Sequence, residues 1–188
     1  MKNIVFTMIL VFPVFILLFF MVSILGIDNQ LVYVTKKTRS INNNFTKRVF
    51  IDKHSSKRSV YFFTENKKRI IKNSREYRGV ITGWKVLLNN RKYENESQLS
   101  FYIFKNKKNE DNSIPFFSIN NKDKNTAYYI DVFQYIKNNY FFFLLIIFLF
   151  YIFGSGWMID YFGGISKHNI IGGFFVFNVF IFIILLFL

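Results

Sequence analysis

The sequence contains no cysteine. That absence excludes disulfides, iron–sulfur ligation, c-type haem attachment and thiol catalysis together. Histidine is nearly as scarce. His54 and His168 are the two in 188 residues, too few for a histidine-based metal site within one chain. Proline occurs twice and glycine nine times, and no Pro/Gly/Ser-rich stretch marks a linker. There is no Gly-x-Ser-x-Gly, no His-Glu-x-x-His, no phosphate-binding glycine loop and no dinucleotide fingerprint. His54 stands beside Asp52, Lys53, Ser55 and Ser56, but five adjacent polar residues read as a solvated loop, not as converging hydrolase groups. The chain is expected to be non-catalytic, with no cofactor and no metal.

Charge is missing from both ends. Of 25 Lys and Arg, only Lys2 and Lys167 fall outside 28–138, and of 11 acidic residues only Asp160 does. The middle therefore holds 23 basic against 10 acidic residues, a net +13. Such a field attracts acidic protein faces, anionic lipid headgroups or RNA.

What fills the ends is hydrocarbon. Residues 4–27 run 24 positions without a charge, and about 20 suffice to cross a bilayer core. The run exceeds the ~7–15 apolar residues of a signal peptide, and Ser23 and Gly26 lack cleavage-site spacing, so an uncleaved anchor is the reading. Residues 140–157 form a second apolar stretch, with Tyr140 and Trp157 at its ends where amphipathic rings prefer the headgroup level. Residues 170–188 form a third. The short connection between these two, holding Asp160, Gly163-Gly164, Lys167 and His168, predicts an antiparallel hairpin with a solvated turn.

Residues 28–138 alternate short apolar or aromatic runs with asparagine-rich turns. Leu31–Thr35, Val49–Ile51, Val60–Thr64, Val80–Leu88, Leu99–Phe104 and Ile114–Ile119 read as strands of a small antiparallel sheet. Lys67–Glu76 reads as a short basic helix and Thr126–Asn138 as a helix leading into the second apolar stretch. The fold class predicted is a membrane protein with about three transmembrane helices and an inserted small β-rich (α+β) domain. Lysines and arginines flanking the domain favour placing it on the matrix or cytoplasmic side.

Two groups of residues are candidates for binding. Asn178, Gly172, Gly173, Gly154 and Gly156 lie in the C-terminal apolar stretches. A lone amide and small residues suit helix packing without a hydrophobic drive. Lys36, Lys37, Arg39, Lys67, Lys68 and Arg69 form a basic contact surface, for an acidic subunit or anionic lipid more than for nucleic acid, since no RNA-binding motif accompanies them.

With 27 Phe against 14 Leu and 20 Asn, the residue usage reflects A+T-rich codons. In composition the chain resembles A+T-rich, mitochondrially encoded inner-membrane proteins of protists. That resemblance implies an accessory subunit of a respiratory-chain or ATP-synthase complex, multi-pass in the mitochondrial inner membrane, with other membrane subunits as partners. The alternative is a bacterial inner-membrane binding protein, toxin-neutralising or envelope-sensing, with an anchored β-domain.

Overall fold

Helix α1 spans Lys2–Asp28. Its Leu, Ile, Phe and Met carry no polar group that competes for backbone hydrogen bonds, and nothing charged interrupts it between its two end residues. The last turn closes through Asn29 N–H to the Leu25 carbonyl at 3.2 Å and Gln30 N–H to the Ile27 carbonyl at 2.9 Å. The Lys105 ammonium then donates to the Asn29 carbonyl at 2.9 Å, a cation placed at the negative end of the helix.

The structure is a computed structural model and describes residues 2–39, 48–54, 57–66, 69–78, 92–107, 113–161 and 169–187. The chain divides into two compact units, one formed by 1–23 with 136–188 and the other by 24–135.

Among the described residues the second unit is built on seven strands: β1 Leu31–Arg39, β2 Val49–His54, β3 Lys57–Asn66, β4 Arg69–Arg78, β5 Gln98–Phe104, β6 Ile114–Pro115 and β7 Phe117–Ile119. The strand order is β6-β4-β3-β1-β5-β7, with β2 also paired to β3. All pairings are antiparallel except β4 with β6. Strand β1 joins two half-sheets. Its end pairs with β3 at Thr38 and Arg39, whereas Leu31–Lys37 pair with β5. Val34 faces Phe101 and Thr38 faces Thr64, four residues or about 13 Å further along β1. Yet the Phe62 and Phe101 rings meet edge to face at 4.9 Å. The half-sheets therefore fold onto each other. Between them lies a core of Val49, Val60, Phe62, Ile71, Leu99, Phe101, Ile103, Ile114 and Phe116, all 3% exposed or less. Each such side chain contributes about 1.5–3 kcal/mol on burial.

Helix α2, Thr126–Asn139, covers the other face of β5. Asn125 caps it, its Oδ1 accepting the Tyr128 N–H at 3.2 Å. Tyr128 packs on Tyr102 and Tyr135 on Phe104, with centroids 4.8 and 5.5 Å apart, so β5 is buried on both sides.

The first unit holds the apolar part of α1 with α3, Phe141–Tyr161, and α4, Asn169–Phe187. Aromatic rings fill its interior. Phe12 stacks on Tyr151 at 4.2 Å, Phe148 on Phe182 at 4.7 Å, and Phe175 tilts onto Tyr151 at 5.7 Å.

The α+β character holds, and the helix expected over 126–138 is α2. Two expectations change. Lys67–Glu76 is not a helix: its described part belongs to β4, where Ile71, Asn73, Arg75 and Tyr77 alternate inward. Among the described residues the long apolar helices are two, α1 and α3. The apolar part of α4, Ile170–Leu186, is shorter, and 17 residues span about 26 Å against a ~30 Å hydrocarbon core. The strand expected at Val80–Leu88 lies outside the described residues.

Candidate functional site

A polar knot sits inside the helical unit. An α-helical carbonyl at position 9 ordinarily accepts the N–H of position 13, and here position 13 is proline, which has none. The freed Ile9 carbonyl accepts from two side chains instead: the Tyr151 hydroxyl at 3.4 Å and the Asn178 amide at 3.4 Å. Asn178 also donates to the Tyr151 oxygen at 3.1 Å. One residue from each of α1, α3 and α4 thus meets in a single network, and each is buried. The outside of the unit is the reverse. Val14, Phe15, Leu17, Met21, Phe142, Phe150 and Phe177 all expose half or more of their surface.

Where α1 ends, a second polar cluster forms within the sheet unit. Asp28 accepts from the Lys124 ammonium at 2.6 Å and from the Tyr128 hydroxyl, and the Tyr102 hydroxyl donates to the Lys122 carbonyl. The hydrogen bond to Asp28 raises the Lys124 pKa. Burial, followed by the bond to Asp28, pushes the Tyr128 hydroxyl up. Both shifts keep these two groups protonated at neutral pH.

A third cluster is internal. Asp131 on α2 accepts from the Tyr77 hydroxyl at 3.0 Å and the Ser118 N–H at 2.7 Å, and its Oδ1 lies 3.8 Å from Arg75 Nε. The Arg75 guanidinium lies over Phe117, Tyr77 and Tyr135, 4.8, 5.5 and 5.9 Å from their centroids. These cation–π contacts replace hydration that burial removes. Burial nevertheless raises the Asp131 pKa, against the opposing pull of Arg75, Ser118 and Tyr77.

The outer sheet face is aromatic and basic. Phe50 stacks on Tyr61 at 5.3 Å and 14°, Phe63 meets Tyr61 edge-on at 6.0 Å, and Lys72 Nζ sits 4.7 Å over the Tyr61 ring. Arg39 and Lys72 flank Phe63 in register on the two neighbouring strands.

The residues expected to bind divide accordingly. Asn178 and Gly172 are buried. Gly154 and Gly173 are exposed, and a Cβ on Gly154, Gly156 or Gly173 would meet nothing within 4 Å among the described residues. Lys37 and Arg39 are exposed on one face of β1, whereas Lys36 points to the other and is half-buried. Arg69 is exposed at the start of β4. Lys67 and Lys68 lie outside the described residues, as do Lys167 and His168. Sequence reasoning missed Tyr151, although a proline four residues after a carbonyl announces an acceptor that needs a donor. It also missed Asp131 and Arg75, whose spacing in the chain carries no signal. Among the described residues no three metal-ligating side chains cluster.

The architecture is that of an α+β protein with a separate apolar helical unit. Compared with protein-family models, curated proteins and solved structures, the chain matches none.

Proposed function

We propose that this chain is a membrane-anchored, non-catalytic subunit of an inner-membrane assembly, with its basic sheet domain as the part that binds outside the bilayer. The supporting observation is the inverted polarity of the helical unit. Asn178, Tyr151 and Ser155 are inside while large apolar side chains face out. In water so wide an apolar surface drives association. In lipid it costs nothing, and the inward amides and hydroxyls become the packing contacts. Only 17% of the apolar window of α1 and 28% of that of α3 is buried, unlike the core helices of a soluble protein. Composition points to a mitochondrial inner-membrane complex, respiratory chain or ATP synthase. There the basic domain, net +13 over 28–138, would contact an acidic subunit surface or anionic lipid.

One observation favours the bacterial anchored-domain alternative. The sheet unit carries its own core of fully buried residues and does not depend on a neighbour for one. Purification in mild detergent separates the readings. Co-migration with a large assembly on a native gel supports the subunit reading. Migration as a monomer, with a soluble partner captured by the basic domain, supports the alternative. Complete extraction from membranes by alkaline carbonate removes both.

A further inference from the structure

Beside the polar knot, α1 and α3 border an open groove of about 400 Å³. Its lining comprises Ile9 and Phe12 from α1 and Ile147, Phe150, Tyr151, Gly154, Ser155 and Met158 from α3. Ile9, Tyr151 and Ser155 are buried and form the floor, while Phe150, 75% exposed, forms the rim. The groove thus runs from the apolar surface inward, and its size falls among small-molecule sites of ~300–1,000 Å³.

We infer that this groove is a binding site for one hydrocarbon chain of a membrane lipid. The inference rests on the helical unit lying in a bilayer. The chemistry of the walls identifies the occupant. Six of the eight lining residues have apolar side chains or none. The Tyr151 hydroxyl is already committed, accepting from Asn178 and donating to Ile9. A polar ligand would find little to bind, whereas a methylene chain finds contact along its length. A partner helix, ~10–12 Å across with its side chains, reaches the floor only through a single side chain; a flexible acyl tail can follow the groove inward.

Gly154 explains why the space stays open. Glycine inside a helix costs about 1 kcal/mol relative to alanine. Packing among the described residues does not demand it here, since a Cβ would meet none of them within 4 Å. A bulky residue at this wall position would take the volume that the lipid chain uses.

The test is native mass spectrometry of the full chain, released from phosphatidylcholine-containing membranes in mild detergent. The natural chain should retain one lipid that Gly154→Phe does not. Gly173→Phe, equally open at its Cβ but away from the groove, should keep it. Gly154→Leu serves in place of Gly154→Phe if the latter does not fold. An equal lipid count in the natural chain and the Gly154 variants overturns the site, as does a natural chain without lipid. Loss of a co-purifying protein from Gly154→Phe at unchanged lipid count likewise overturns it and assigns the groove to a partner. Carbonate extraction run in parallel separates the two levels. A chain washed off membranes ends the membrane reading, whereas a resistant chain with unchanged lipid count removes this site alone.

Discussion

Asn178 of α4 donates to the Ile9 carbonyl of α1 at 3.4 Å, and Ile9 is the residue whose helical donor Pro13 has removed. The proline and the amide are therefore coupled, although 165 positions separate them in sequence. Replacing Asn178 with Leu should lower stability in detergent by about 0.5–2 kcal/mol, the range of interhelical hydrogen bonds in membranes. In a Pro13→Ala background the carbonyl regains an intrahelical partner, and the same Asn178→Leu change should cost distinctly less. Thermal unfolding of the four proteins of this double-mutant cycle, followed by circular dichroism, measures the difference. Equal costs in both backgrounds would show that Asn178 packs without serving the proline.

That relationship was half legible in the sequence. A lone amide in an apolar run asks for a partner, and Asn178 was identifiable on that ground alone. Its partners were not, because Ile9 and Tyr151 are ordinary members of apolar runs until the helices are placed. The sheet shows the same division. The runs around Val60 and Leu99 are mostly apolar or aromatic, so their strands were visible, whereas the single strand expected over Ile114–Ile119 is two, β6 paired to β4 and β7 paired to β5. Strand β4 was not. Its inward positions are Ile71, Asn73, Arg75 and Tyr77, and two polar residues on the buried side erase the alternation that betrays a strand. The expected basic surface suffered from the converse effect. Lys36 and Lys37 are neighbours in sequence but lie on opposite faces once β1 is extended.

Ser118 holds a left-handed backbone at φ 50° between two buried strand residues, Phe117 and Ile119. Its N–H is fixed by Asp131, so the conformation is imposed from outside. A left-handed residue with a Cβ is strained by about 1–2 kcal/mol. Ser118→Gly should therefore stabilise the chain slightly, by up to about 1 kcal/mol. Ser118→Val, branched at Cβ, should destabilise it. Thermal melts of both variants against the natural chain check the opposite signs, and two shifts of the same sign would refute the strain argument.

At the end of α1, Asp28 holds two partners of unequal burial. The Lys124 side chain is 39% exposed, whereas Tyr128 is fully buried. Solvent screens the ion pair, so Lys124→Met should cost no more than about 1 kcal/mol and should reduce the sensitivity of stability to salt. Tyr128→Phe removes a hydrogen bond to a carboxylate from a buried position and should cost about 1.5–3 kcal/mol. Unfolding at low and high salt distinguishes them: a Lys124→Met cost equal to that of Tyr128→Phe would place the weight on the ion pair.

Asp131 ties α2 to β4 and β7, and its removal strands Arg75 inside three aromatic rings. Breaking a buried pair in this way costs about 3–5 kcal/mol, so Asp131→Ala should unfold the sheet unit well before the natural chain. The pH dependence has a definite sign. Burial raises the Asp131 pKa in the folded chain above its value of about 3.9 in the unfolded one. The folded state therefore binds the proton more tightly. The stability this gives is fully present below the unfolded pKa, and it is lost as pH rises through the folded one. Asp131→Asn cannot titrate, so the acid-side slope attributable to this group should vanish in that variant. Limited proteolysis of the full chain across pH 3–7 would show it as natural and variant profiles that converge toward acid and separate above. A natural chain whose protection by Asp131 grows steadily with pH would mean that Arg75, Tyr77 and Ser118 together outweigh burial, and that the carboxylate is held charged in the core.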